Sequence, residues 1–244
     1  MSPQVTSPFL SIVIPAYNEE RRILATLQQV TAHLARQSYE AEVLVIDDGS
    51  TDGTRRLVQG FAAEHPVVTL VHNPHRGKGY AVRTGMLAAR GGYRFQCDAD
   101  LAMPIEELAR FLPPQRDHFD VAVGSREGQG ARRYGEPPYR HFMGRVFNLA
   151  VRTLAVRGLA DTQCGFKCFR GEVAEAVFST QRIFGFGSDV EILFIAQKRG
   201  LNIVEVPIPW YHQRESKVRP VQDTAAMLLE TFQVRLNDLR GLYG

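Results

Sequence analysis

Four apolar, strand-like runs alternate with helical segments, and this alternation limits the possible folds more than any other feature. The runs begin at Phe9, Ala41, Val67 and Tyr93. The segment from Asn18 to Arg36 has apolar residues at helical spacing, and its first residue is a suitable N-cap. The pattern predicts an α/β fold: a doubly wound, mixed but mostly parallel sheet with crossover helices on both faces.

Polar residues follow each of the four runs. The first run leads into Pro15–Glu19, the second ends in Asp47–Gly53, the third precedes Asn73–Gly79, and the fourth ends in Asp98–Asp100. Ligands of open α/β sheets bind outside the carboxyl ends of the strands. The sequence therefore predicts a ligand site along that edge.

The fourth run ends in two carboxylates, Asp98 and Asp100, one residue apart. Alternate residues of an extended segment point the same way, so we expect the two side chains to share a face. Hard oxygen ligands suit Mg²⁺ or Mn²⁺ better than zinc, and such an ion keeps positions open for a diphosphate. The alternative is a polar loop with two solvated acids.

Composition indicates the class of protein. With 244 residues, 44% hydrophobic, the chain fits a single domain, and its net charge of +3 gives no argument for nucleic acid binding. The three cysteines, an odd number and widely spaced, fit a reducing compartment. We find no signal peptide and no run that could span a membrane. We expect a cytoplasmic protein, possibly peripheral at the cytoplasmic face of the membrane.

The second half of the chain has a weaker pattern. Helices are predicted over 105–112, 142–157, 188–198 and 221–242, strands over 120–124 and 203–207, a turn plus strand over 161–169, and loops over 125–141 and 210–220. Ser188 and Glu191 have the spacing of a capping box. The amphipathic last helix, 221–242, has three possible contacts: a membrane interface, the core, or a second subunit in a homo-oligomer.

Six motifs then carry a resemblance to a known family. The segments 11–20, 45–54 and 98–100 resemble family-two glycosyltransferases of the GT-A fold. The segments 76–85, 161–167 and 188–192 resemble the branch of dolichyl-phosphate glucosyltransferases and polyprenyl-phosphate mannosyl- or glucosyltransferases. The likeness extends over 9–220. Polyprenyl mannosyltransferases of the family often carry a further metal ligand where Ala102 stands, which favours the glucosyl branch.

The resemblance implies roles for the matching positions. It implies a nucleotide pocket formed by Pro15, Ala16, Tyr17, Glu19, Asp47 and Asp48. It implies contacts with the rest of the donor from Arg76, Gly77, Lys78, Asp98 and Ala99, and a direct bond from Asp100 to the metal. The metal would stabilise the charge that develops on the leaving diphosphate. Lys217 would fold over the same phosphates; its alternative is a solvated surface lysine.

The acceptor side leaves two interpretations open. A lipid phosphate is already ionised and needs no strong base, and a basic group of side chains suits it: Arg126, Arg132, Arg133 and Arg140. The alternative is an exposed basic loop without a ligand. A hydroxyl acceptor would need a carboxylate base, for which Asp189 and Glu191 are candidates beside their ordinary roles at a helix start. Asp161 and Gln163 are further candidates for sugar or acceptor contacts.

The sequence therefore predicts a metal-dependent inverting glycosyltransferase. Its donor is UDP-glucose first and GDP-mannose second, and its acceptor is polyprenyl or dolichyl phosphate. One alternative is a soluble or glycan hydroxyl acceptor. The other is a non-catalytic nucleotide-sugar-binding module whose basic loop and last helix recruit a partner.

Overall fold

A computed structural model of the chain describes residues 7–213 and 220–244. Seven strands form the main sheet: β1 (Leu10–Ala16), β2 (Ala41–Asp47), β3 (Val68–His72), β4 (Tyr93–Gln96), β5 (Val121–Ser125), β7 (Lys167–Arg170) and β8 (Ile203–Pro207). Two short strands pair in a second sheet: β6 (Arg132–Tyr134) and β9 (Pro209–Tyr211).

The described residues form seven α-helices around the main sheet. They are α1 (Ile23–Leu34), α2 (Thr54–Glu64), α3 (Lys78–Ala88), α4 (Pro138–Leu154), α5 (Gly171–Thr180), α6 (Ser188–Lys198) and α7 (Pro220–Leu239). A 3₁₀ helix, Ile105–Phe111, takes the place of the predicted α-helix after the fourth strand. Within the described ranges, no helix has the length and hydropathy needed to cross a bilayer.

The main sheet has the strand order β3-β2-β1-β4-β7-β5-β8. The pairs formed by β1, β2, β3 and β4 are parallel, as is the pair of β5 with β8, whereas β7 runs antiparallel to both of its neighbours. The order reverses direction after β1, which is the arrangement of a doubly wound sheet. The predicted mixed, mostly parallel sheet is confirmed.

The core lies on both faces of the sheet. On β1, Leu10, Ile12 and Ile14 pack on one side with α1 and the 3₁₀ helix, whereas Val13 packs on the other side with α3. Because a strand alternates its side chains between faces, a strand covered on both sides must be apolar throughout. This explains why β1 and β2 appear in the sequence as continuous apolar runs.

Several element predictions need correction. Helix α1 begins at Ile23 rather than Asn18, because Asn18 has a φ of +53° and its side-chain oxygen accepts the Thr51 amide 2.8 Å away. The predicted alternation implied α2 without giving its bounds, whereas α5 was not predicted. The predicted loop 125–141 contains β6, and β9 overlaps the start of the predicted loop 210–220; both strands are too short to give a periodic pattern.

The predicted capping box of Ser188 and Glu191 is wrong. Helix α6 has no side-chain cap, and the Glu191 carboxylate accepts the backbone amides of Arg182 and Ile183 instead. Its other partner is the buried hydroxyl of Tyr243, 2.5 Å away. Glu191 therefore holds the 181–187 loop and the end of the chain to α6.

Candidate active site

The two carboxylates lie in a turn after β4, which we call the acidic turn (Asp98–Asp100). The strand ends at Gln96, so the prediction that both acids occupy alternate strand positions is wrong. The backbone turns at Leu101, whose φ is +44°, and the Ala102 amide donates to Asp100 Oδ1 over 3.1 Å. Asp is a poor strand former, and the polar turn replaces the last expected strand residues.

The acidic turn concentrates negative charge. Burial raises the pKa of Asp100, and the neighbouring charge of Asp98 raises it further. The charge of Asp98 acts on Asp100, so the turn holds two neighbouring carboxylates whose negative charge favours a cation. Among the residues that the structure describes, no group of three His, Cys, Asp or Glu side chains forms a complete cation site. Mg²⁺ binds proteins through one or two carboxylates and takes its other ligands from water and phosphate, so the pair fits such an ion.

Lys78 at the start of α3 joins the acidic turn. Its Nζ lies 2.8 Å from Asp98 Oδ1. Burial alone would lower the pKa of Lys78, but the carboxylates of Asp98, Asp189 and Asp100 raise it, and the net shift is upward. The lysine therefore stays charged at the edge where the sequence predicted a diphosphate.

A buried lysine that sequence analysis missed lies beside this group. Lys167 on β7 has no exposed side-chain surface, and its Nζ lies 2.5 Å from both Asp189 Oδ1 and the Cys164 carbonyl oxygen. Its motif, 161–167, was noticed, but a lysine in a strand gives no sign of burial. Asp189 is thus held by a fixed cation, close enough to Lys78 to influence its charge.

Sequence analysis also missed Gly165. The atoms around this position leave no room for a side chain. A Cβ atom at this position would lie 1.7 Å from Asp98 Oδ2. Any side chain here would displace the carboxylate from its place beside Lys78. The glycine therefore keeps room for Asp98.

The two acids at the end of β2 hold neighbouring segments in place at this edge of the sheet. Asp48 Oδ1 and Oδ2 accept the backbone amides of Arg76 and Gly77 at 3.1 and 2.9 Å, and His75 Nδ1 lies 2.8 Å from Oδ2. Asp47 contacts His72 and the Ser50 amide, both at 3.0 Å. Both acids are buried, so they order the predicted nucleotide pocket from within.

Residues at the end of β1 face the same edge. The Tyr17 ring stacks on His75 with centroids 4.1 Å apart, and Glu19 pairs with Arg22. Pro15 and Ala16 are the last residues of β1 and pair with β2.

The acidic turn is also tied to α1, because the Ala99 carbonyl accepts the Thr26 hydroxyl. The structure thus brings together at one edge most of the residues that the resemblance assigns to the donor.

The predicted acceptor arginines lie in a region of matched charges, the basic segment (126–133). The Arg126 guanidinium makes a bidentate contact with Asp161, at 2.7 and 2.9 Å. Burial alone would raise the pKa of Asp161, but Arg126 lowers it well below its usual range. Arg133 pairs with Glu127 and Glu136.

The remaining predicted residues are distributed around this segment. Arg132 is exposed on β6, with no ion pair to any described residue. Gln163 lies next to the Arg126–Asp161 pair, and its amide donates to Asp161. Lys217 and the side chain of Arg140 lie outside the described residues.

Comparison with known proteins decides the class. The model of the family "Glycosyl transferase family 2" matches residues 11–178, more than half of the chain. The chain belongs to glycosyl transferase family 2. It is a glycosyltransferase, and the predicted enzyme class is confirmed.

Named relatives within this family share nearly the whole chain. A dolichyl-phosphate beta-glucosyltransferase of Trichomonas vaginalis is 34% identical over 99% of this chain and 76% of its own. The human dolichyl-phosphate beta-glucosyltransferase is 32% identical over 96% of this chain and 77% of its own. The resemblance to this branch of the family is confirmed.

Solved structures show the same fold. Glucosyl-3-phosphoglycerate synthase of Mycobacterium tuberculosis with uridine diphosphate superposes with a TM-score of 0.68 at 21% identity, over 94% of this chain and 79% of that chain. Mannosyl-3-phosphoglycerate synthase of Rubrobacter xylanophilus superposes with a TM-score of 0.67 at 19% identity, over 96% of this chain and 74% of that chain. The mycobacterial enzyme was also crystallised with Mn²⁺ and UDP-glucose. The family-two chain therefore has the predicted GT-A fold.

Proposed function

We propose that this glycosyltransferase moves glucose from UDP-glucose to dolichyl or another polyprenyl phosphate, with inversion at the sugar carbon. The observation that carries the proposal is the near full-length similarity to dolichyl-phosphate beta-glucosyltransferases, 34% identical over 99% of this chain in one case. An α-linked donor that gives a β-linked product requires inversion. GDP-mannose is the second choice of donor.

The acidic turn would hold Mg²⁺ or Mn²⁺ through Asp98 and Asp100. A bound divalent cation supplies Lewis-acid stabilisation of the negative charge that forms on the leaving diphosphate. The carboxylate pair supports this assignment, because excess negative charge at one place favours a cation. Lys78, charged and next to Asp98, adds a second positive group beside the same phosphates.

The acceptor phosphate does not need activation by a strong general base. A phosphate monoester is mostly doubly ionised at neutral pH, so its oxygen attacks without a strong general base. The bond from the sugar carbon to the donor diphosphate breaks as the bond to the acceptor oxygen forms. Asp189 is then a positioning residue, fixed by Lys167, and not a base. Arg132 is the basic-segment residue best placed to meet an incoming phosphate.

The apolar tail of the acceptor requires contact with a membrane. Two neighbouring helices, α4 and α7, each expose a row of apolar side chains at three- and four-residue spacing. The row on α4 is Tyr139, Phe142, Val146 and Leu149, and that on α7 is Leu229, Phe232, Leu236 and Leu239. Apolar helix faces flanked by Arg145 and Arg152 suit an anionic lipid surface.

Replacement of Phe142 and Phe232 by serine tests the membrane contact. We expect the double variant to lose most of its cosedimentation with anionic vesicles while its Tm stays within a few degrees of wild type. Size-exclusion chromatography separates the other explanation. If the wild type is a dimer and the variant a monomer that still binds vesicles, the two rows form a subunit interface and the membrane assignment is wrong.

A transfer assay tests the function itself. UDP-glucose and GDP-mannose are each combined with polyprenyl phosphate, polyprenol or 3-phosphoglycerate, in Mn²⁺ or in EDTA. We expect glucose transfer to polyprenyl phosphate only, dependent on the cation. Transfer to 3-phosphoglycerate or to polyprenol instead would contradict the acceptor assignment. Donor binding without turnover in any combination would support a binding module.

A further inference from the structure

A second charged cavity lies outside the acidic turn, between α3, the end of α5 and the loop before α6. Its volume is about 470 Å³. It is lined by Arg76, Tyr80, Arg83, Ser179, Gln181, Arg182 and Phe184, and we call it the arginine pocket. Its lining includes neither Asp98 nor Asp100, and it shares only Arg76 with the residues assigned to the donor.

The pocket is rich in arginine. Within the part of the chain that the structure describes, no carboxylate forms an ion pair with Arg76, Arg83 or Arg182. Glu191 uses its oxygens on the backbone amides of Arg182 and Ile183 and on the Tyr243 hydroxyl. The arrangement contrasts with the basic segment, whose half-buried Arg126 and Arg133 are paired with carboxylates. Glu191 acts on Arg182 electrostatically, but no described carboxylate forms an ion pair with any of the three guanidinium groups, and such a pocket favours an anion.

The walls of the pocket are ordered before any ligand binds. Arg83 Nε donates to the Phe178 carbonyl oxygen over 2.9 Å, which leaves its terminal nitrogens available. The Arg76 guanidinium lies 4.6 Å from the Tyr80 ring centroid and 5.7 Å from that of Phe184. The Phe184 carbonyl accepts the Gly79 amide over 2.8 Å. Groups held in place lose less conformational entropy when a ligand arrives.

The pocket also has features that suit an organic ligand. Its volume is that of a small-molecule site and exceeds what an inorganic anion needs. Gln181 donates through Nε2 to the carbonyl oxygens of Gly79 and Ile183, but no described residue donates a hydrogen bond to its buried Oε1. A bound molecule with hydroxyl groups can relieve such a defect after a small shift. Guanidinium groups match phosphate oxygens in geometry as well as charge.

We infer that the arginine pocket binds a soluble organic phosphate, separately from the sugar donor. The pocket connects to the active site through one short segment: Arg76 and Gly77 donate their amides to Asp48, and Lys78 reaches Asp98. A ligand bound by the Arg76 side chain therefore changes the position of this segment and with it the affinity for the donor. Phosphate binding itself does not depend on the proposed function.

Calorimetric titration of the full chain with glycerol 3-phosphate in EDTA tests the site, with glycerol as the uncharged control. We expect saturable binding of the phosphate only, and about tenfold weaker binding by Arg182→Gln and Arg83→Gln. Arg55→Gln, on the exposed side of α2, is the matched control and should bind like the wild type. Asp100→Asn should also bind like the wild type. Arg182 is exposed, so its variant should keep the wild-type Tm.

Three results would overturn the inference. The first is absence of saturable binding to the wild type, and the second is equal binding by Arg182→Gln. The third is binding that needs Mn²⁺ and is lost in Asp100→Asn, which would place the phosphate in the acidic turn. Vesicles of phosphatidic acid separate the two sources of phosphate, because Arg182-dependent vesicle binding would assign the pocket to a lipid headgroup.

A separate measurement tests whether the arginine pocket influences binding of the sugar donor. We expect glycerol 3-phosphate to change the KM for the sugar donor in the wild type and not in Arg182→Gln. A KM that responds equally in both proteins would show that the effect does not pass through the pocket. If the chain transfers no sugar, this measurement is lost but the calorimetric test stands, so failure of the two proposals can be told apart.

Discussion

The acidic turn and the basic segment are both rich in charged side chains, but the charges are arranged differently in the two regions. In the acidic turn, Asp98 raises the pKa of its neighbour Asp100. In the basic segment, Arg126 is matched by Asp161, which accepts two hydrogen bonds from its guanidinium. The acidic turn keeps two carboxylates next to each other, with Lys78 paired to Asp98, whereas the basic segment pairs both Arg126 and Arg133 with carboxylates.

The difference separates function from stability. Like charges held close destabilise a fold unless a ligand of opposite charge arrives, and they are a frequent mark of functional sites. A buried ion pair with complete hydrogen bonding instead holds a loop in one conformation, and removal of one partner leaves the other uncompensated. We therefore expect substitutions in the acidic turn to affect activity, and those in the matched pairs to affect stability.

Asp100→Asn should show the largest effect. The change removes one negative charge and the proposed metal ligand from the acidic turn, and we expect glucose transfer to fall by about a thousandfold. The free energy of unfolding should stay equal or rise, because a repulsion is relieved. Asp117→Asn, on an exposed acid, is the matched control. Loss of both activity and stability in Asp100→Asn would break the comparison.

Lys167→Met should be the most destabilising of the variants. It leaves the Asp189 carboxylate buried without its cation, and we expect a loss of about 3 kcal/mol in the free energy of unfolding by urea. Lys198→Met, which removes a surface ion pair, should cost less than about 1 kcal/mol. Lys167→Arg should recover part of the stability. If the Lys167→Met protein is as stable as the wild type, the ion pair of Lys167 with Asp189 does not stabilise the fold.

Asp161→Asn tests the basic segment through pH. Arg126 lowers the folded-state pKa of Asp161 below its usual value of 3.8, so the carboxylate stabilises the fold above that pH and loses its effect as the pH falls. At pH 7 we expect a loss of about 2 kcal/mol. The difference from wild type should shrink when unfolding is measured at pH 3. A difference independent of pH would mean that charge is not its source.

Arg132→Ala should have the smallest effect. This exposed arginine has no ion pair among the described residues, so it is available to the acceptor phosphate. We expect the acceptor KM to rise by about threefold while the donor KM stays unchanged. Arg133→Ala should instead lower the Tm, because Glu127 and Glu136 lose their partner. Equal changes in both KM values would place Arg132 away from the acceptor.

The sequence predicted the sheet because its strands are apolar on both faces, as at β1 and β2. It placed the two acids and the residues proposed for the donor along one edge of the sheet, because local sequence marks where strands end. It did not predict α5 or the short strands β6 and β9, whose pairing depends on residues some 75 positions apart.

The state of individual side chains was also beyond the sequence. In the sequence Lys167 looks like any surface lysine. Only the structure shows that it is buried and in contact with Asp189. In the same way, Ser188 and Glu191 match a capping pattern, but tertiary contacts with Tyr243 take precedence over it. The arginines of the basic segment were predicted as free cations because a sequence does not show which acids are near them.

The central claim is that the acidic turn binds a divalent cation together with the diphosphate of the donor. Titration of UDP into the wild type and Asp100→Asn, with Mn²⁺ or with EDTA, tests it most directly. We predict that Mn²⁺ increases the affinity of the wild type for UDP by at least about tenfold and leaves that of the variant unchanged. Equal UDP affinity of the wild type in Mn²⁺ and in EDTA would contradict the account.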